Sequence, residues 1–194
     1  MGFSLIELLT VIAIVAMMAT FGSMALSNNQ STKVNVGGNL VVDMANRARQ
    51  NSMAKGVMTA LVMARDTAST DSNYRAFILL ERASEESEWK PVTPWTYLPE
   101  GIAADPDHST SFVAQTPNLV PPPNGAPNLN GIAPTSAQCS YQVYLPDGRL
   151  SVKGIATATD PMLHLIEKVK GSESPNYYKV TLNLLTGTPN VERQ

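Results

Sequence analysis

The sequence predicts an α+β fold, a long N-terminal helix packed on an antiparallel β-rich domain. Three observations carry this. Residues 8–26 contain no charged side chain, and the apolar residues that follow, Leu40, Val41, Met44, Ala45 and Ala48, recur at helical spacing. Beyond Gly56 the chain breaks into short β-branched and aromatic runs separated by turn residues. One helix followed by many such runs is an α+β arrangement. The 194 residues suffice for one anchor helix and one domain.

The uncharged stretch of 19 residues would span roughly 28 Å as a helix, close to the ~30 Å apolar core of a bilayer. Residues 3–27 therefore read as a transmembrane and assembly helix, and 28–55 as its amphipathic continuation, closed by Gly56 as a C-cap. Gly37-Gly38 and the Asn-rich stretch before them are weak points where the helix is expected to bend or unwind. Asp43, Arg47 and Arg49 read as a solvated face or as contacts to neighbouring helices.

Strands are expected at 57–63, 74–80, 89–92 and 95–98, the last two brief, proline-punctuated and peripheral. Residues 105–134 hold seven of the chain's 14 prolines and read as a mobile loop, dispensable for folding. After it, 140–145 alternates, Pro146-Asp147-Gly148 turns, and 149–152 returns as a hairpin. Further strands fall at 163–169 and 177–185, and Thr186-Gly187 turns into a last segment at 190–192. Residues 56–194 thus form one β-rich domain.

Charge and chemistry-bearing residues exclude several classes. A net charge of −2 offers no basic field for nucleic acid. The single Cys139 cannot form an intramolecular disulfide and reads as a buried thiol. His108 and His164 stand isolated, without metal-ligand spacing. No nucleophile–base pair or phosphate-binding glycine loop is apparent, so neither catalysis nor a cofactor is expected.

Glu7 is the exception inside the apolar segment. A carboxylate at the centre of a membrane helix costs about 2.5–3.5 kcal/mol on insertion scales, so it needs a partner. An ordinary secretory signal fits poorly: no Lys or Arg precedes Lys33, and the apolar run is long. The residues G-F-S-L-I-E-L-L-T-V-I-A-I, from Gly2 to Ile14, resemble the class III signal of type IV pilins and type II secretion pseudopilins. The resemblance implies that a prepilin peptidase cuts between Gly2 and Phe3, leaving Met1-Gly2 as a residual leader. It implies N-methylation of Phe3, and pairing of Glu7 with the terminal amine of a neighbouring subunit. A free amine is cationic at neutral pH, and at ~4 Å with an effective dielectric near 20 the pair is worth about 4 kcal/mol before desolvation.

The segment 40–62 is similar to the helix-to-strand region of GspH/FimT-like minor pilins, and Y-L-P-D-G-R at 144–149 to that family's F-x-P-D-G-R hairpin. Residues 180–183 with Thr186-Gly187 are similar to its final strand and turn. A more distant resemblance is to the pilin-like set called Verru_Chthon cassette protein D. Many pilins carry a helix proline near the position of Met24; this chain has none. Some FimT-like proteins bind DNA through a basic glycine-arginine motif; here Gly187-Thr188-Pro189-Asn190 replaces it, with Arg193 as the late cation. The expected partners are other pilin subunits, the prepilin peptidase and the inner membrane, with the domain in the periplasm. The alternative is a membrane-tethered binding module that recognises a secretion substrate or surface ligand through its loops, notably 105–134.

Overall fold

The computed structural model describes residues 5–65, 74–106, 108–109, 139–152, 160–167 and 176–193, with the side chains of 19–31 excepted. Helix α1, Leu5–Lys55, runs without interruption through 51 residues, roughly 75 Å at 1.5 Å per residue. It ends in a Schellman motif: Gly56 takes φ +65°, and the Val57 amide donates to the Ser52 carbonyl at 3.2 Å.

Among the described residues nine strands follow: β1 Met58–Ala64, β2 Ala76–Arg82, β3 Lys90–Pro91, β4 Thr96–Tyr97, β5 Ile102–Ala104, β6 Cys139–Tyr144, β7 Met162–Glu167, β8 Tyr177–Leu182 and β9 Pro189–Arg193. They make two antiparallel sheets. The first has the order β3-β2-β1-β6, with β4 also pairing the β2 edge; the second has the order β5-β7-β8-β9. In the first sheet β1 sits centrally, Leu61 opposite Leu79 on one side and Gln142 on the other. Proline confines β3 to the edge, as the sequence indicated.

Strand alternation sorts the core. Leu61, Met63, Phe77 and Leu79 of the first sheet join Leu163, Leu165, Tyr178, Val180 and Leu182 of the second around Val34, Val41, Met44, Ala45 and Ala48 of α1. The opposite face of the first sheet is also dry: Ala60, Val62, Ile78, Leu80, Cys139, Tyr141 and Val143 pack with Trp89.

Gly37 and Gly38 do not unwind the helix. A Cβ on Gly38 would lie 2.2 Å from the Tyr178 ring, and one on Gly37 would lie 3.3 Å from Ile102. Gly38 is a notch that admits the Tyr178 ring, whose hydroxyl donates to Asn39 Oδ1 at 2.9 Å, while Gly37 makes room for Ile102 and Pro99.

The chain turns back at Gly148 as expected, but the return is short: Leu145 N donates to the Arg149 carbonyl and Ser151 N to that of Val143, around a single antiparallel bridge, Tyr144 to Leu150. The Leu150 amide turns away to donate to the Leu184 carbonyl, stitching the end of the first sheet to the second. Strand β5 lies in a segment for which the sequence indicated nothing. The beginning of the proline-rich stretch is fixed: the Asp105 amide donates to the His164 carbonyl at 2.8 Å, and that of Ser109 to the Asp105 carbonyl at 3.1 Å. Residues 110–138, the body of the predicted loop, lie outside the described residues.

Candidate functional site

The candidate assembly surface is the N-terminal part of α1. Through residues 5–18 every side chain is exposed, and the large apolar ones range from Val11 at 57% to Leu5 at 80%. They occupy every face of the helix, unlike the single stripe of a helix packed on a sheet. Glu7 lies within this surface, in the first turn, where the helix dipole favours a carboxylate. The Thr10 hydroxyl donates to the Ile6 carbonyl at 2.7 Å, closing its own polar group onto the helix. Gly2 and Phe3, the expected cleavage and methylation residues, lie outside the described residues. Among the described residues no helix is long and apolar enough to cross a membrane. The side chains of 19–31, which the expected span requires, are not among them.

The other end of α1 is tied down by the turns the sequence marked. Arg49 Nε donates to the Thr186 carbonyl at 2.7 Å, so this cation belongs to the domain's own closure. Gly148 (φ +82°) lies under Met53, where a Cβ would come 2.7 Å from the sulfur. A Cβ on Gly187 (φ +67°) would lie 2.0 Å from the Gly148 carbonyl oxygen. The two turns therefore abut at the helix end, and each needs glycine both for its backbone and for room. Asp147 and Asn183 brace them: Asp147 accepts from the Arg149 amide and guanidinium, and Asn183 Oδ1 accepts from the amides of Leu185 and Thr186. Asp160, unmarked by any motif, accepts from the Leu184 amide at 2.8 Å. Arg193, the late cation, stacks on the Tyr178 ring at 5.0 Å.

His108 and His164 are not isolated in space. His108 Nδ1 lies 2.5 Å from Asp105 Oδ2, and His164 Nδ1 3.6 Å from the same oxygen. The imidazole rings are 5.5 Å apart, and Tyr177 packs on His164 at 4.8 Å. Burial holds the His164 imidazole below its ordinary pKa, against the opposing pull of the Asp105 carboxylate. Pairing of β5 with β7 brings His164 to Asp105 and His108, residues far apart in the chain, which no spacing rule detects. Cys139 is buried, and desolvation raises its thiol to about 11, so it is protonated at neutral pH.

No family model and no curated protein matches this sequence. Solved structures similar to it include two of the minor pseudopilin EpsH from the type 2 secretion system of Vibrio cholerae. One aligns at 12% identity and TM-score 0.46 over 84% of this chain and 96% of that chain. The other aligns at 13% identity and TM-score 0.48 over 83% and 94%.

Proposed function

We propose that this chain is a minor pilin or pseudopilin, a structural and assembly subunit of a type II secretion or type IV pilus-like filament. One observation carries the reading: a single helix whose C-terminal half is buried by two sheets extends beyond them as an apolar rod interrupted by Glu7. Such a rod has no cover within its own domain. It fits a bilayer before assembly and a bundle of like helices afterwards.

In this reading prepilin peptidase cleaves between Gly2 and Phe3, and the new amine is methylated. Each amine then pairs with Glu7 of a neighbour as the helix leaves the inner membrane. The β-rich domain stands in the periplasm, and Gly38 and Gly148 hold it to the helix at a fixed angle.

Glu7→Gln tests the pairing in the full chain. It removes a charge with little change of size, so the domain should melt as the parent does and membrane insertion should persist. Recovery of other pilin subunits on affinity purification should fall, because each neighbouring amine loses its counter-charge. Undiminished recovery would sink the pairing. N-terminal sequencing checks processing: protein from a peptidase-positive host should begin at Phe3, and a Met1 terminus would argue against it.

A further inference from the structure

We propose that Asp105, His108 and His164 form a binding site for a divalent transition-metal ion, of which zinc matches the donors best. One ligand atom from each lies within 4.8 Å of the others. Two imidazole nitrogens and one carboxylate oxygen are a borderline donor set, suited to zinc and its neighbours and unsuited to calcium or magnesium, which take oxygen. Tetrahedral zinc with bonds of about 2.05 Å places its ligands roughly 3.3 Å apart. The His164 to Asp105 separation of 3.6 Å is close to that, while His108, hydrogen-bonded to Asp105 at 2.5 Å, must give up that bond and open outward to ligate, which its exposed ring allows.

The scaffold is built before any ion arrives. Asp105 follows β5 and is held by the His164 carbonyl, while the His164 amide donates to Ser109 Oγ at 3.0 Å. The ligand-bearing turn and strand β7 are thus bonded in both directions, and Tyr177 fixes the His164 ring from the side. Among the described residues the buried His164 Nδ1 makes no hydrogen bond. A buried polar atom left so is uncommon, and a metal bond would satisfy it. Lys179, opposite His164 on β8, is the nearby cation; its ammonium is engaged by Glu192 at 2.8 Å. His108 is 60% exposed, which leaves an entry path and a coordination position for water. The site would clamp the head of the proline-rich stretch to the second sheet, a role separate from the helix surface above.

The test uses the full chain in detergent, stripped with a chelator and titrated with zinc chloride against a chromophoric competitor. One zinc per chain should bind, and the melting temperature should rise by several degrees, since an ion that binds only the folded state stabilises it. His108→Ala should lower affinity more than tenfold; the metal-free melting temperature should fall by no more than the loss of one half-exposed hydrogen bond to Asp105, much less than the rise zinc gives the parent. His164→Gln and Asp105→Asn should each remove saturable binding. Cobalt substitution should give nitrogen/oxygen d–d bands without a thiolate charge-transfer band. The proposal is overturned by absence of saturable zinc binding, by binding that survives both histidine substitutions, or by a thiolate band implicating Cys139.

Discussion

The two halves of α1 are one continuous helix with opposite relations to the rest of the molecule. In the C-terminal half Val34, Gly37, Gly38, Val41, Met44, Ala45, Ala48 and Ser52 are buried, a stripe repeating every three or four residues. Between them Asn39, Asp43 and Arg47 stay in solvent. In the described N-terminal part no stripe exists, because apolar residues face all directions and all are exposed. Both halves carry apolar residues; their periodicity separates them. A stripe names a partner inside the chain, and a full circumference names one outside it.

The largest effect that separates the halves comes from charge. Met44 is buried at 5% exposure among residues of both sheets. Met44→Asp places an unpaired carboxylate there, at a cost of several kcal/mol, comparable to the whole stability of a small domain. Thermal denaturation should show the domain largely unfolded. Melting within a degree or two of the parent would mean that this half does not pack as described.

Gly38→Ala should come next. Alanine favours an exposed helix by about 1 kcal/mol over glycine, so the substitution would stabilise a half with no neighbour. Here the new methyl meets the Tyr178 ring, itself pinned by Asn39 and Arg193. Overpacking of about 1–3 kcal/mol should exceed the helical gain. Urea denaturation should give a lower midpoint, and a raised one would show that Tyr178 moves aside freely.

These contrasts also mark what was legible in the sequence. Val41, Met44, Ala45 and Ala48 were readable as a buried stripe because helix and sheet impose different periods on apolar residues. The role of Gly38 was not, since the ring that fills the notch comes from position 178 and leaves no local trace. The turns at Gly148 and Gly187 were visible as turns, but their mutual contact under α1 is tertiary. Strand β5 has three residues, too few for a period. The histidines escaped for a related reason: their partner relation is created by strand pairing. The expectations at Gly2 and Phe3 rest on the motif, while Glu7 has its place on the exposed rod.

A smaller effect tests how the buried half ends. Glu81 Oε2 accepts from Lys55 Nζ and Asn51 Nδ2, both at 2.8 Å, tying the last turn of α1 to β2. The hydrogen bond from Lys55, followed by that from Asn51, holds the Glu81 carboxyl below its ordinary value near 4.5. A carboxyl depressed in the folded state stabilises above its unfolded pKa, and that contribution is lost as pH falls through the folded value. Lys55 is about half exposed, so solvent screening limits the pair to roughly 0.5–1 kcal/mol. Glu81→Gln should lower stability by that amount at pH 7 and by progressively less below pH 4.5. A difference that stays constant with pH would assign the effect to packing.

The smallest expected effect, that of Ile12→Ala on stability, gives the sharpest comparison when set beside Val41→Ala, because the chemistry is nearly the same on both halves. Ile12→Ala and Val41→Ala each truncate a β-branched side chain on one helix, at 61% and 1% exposure. Deleting buried methyl groups costs transfer free energy plus that of the cavity left behind, so Val41→Ala should lose about 2 kcal/mol. Ile12→Ala removes atoms that touch no domain core, and the melting transition should move by less than about 0.5 kcal/mol. Its consequence belongs to the surface that covers the rod: affinity for detergent micelles, and recovery of partner subunits, should fall as apolar area is lost. If Ile12→Ala instead lowered the domain's stability as much as Val41→Ala, the rod would be folding back onto its own domain. The distinction between a half that builds the fold and a half left exposed by it would then be lost.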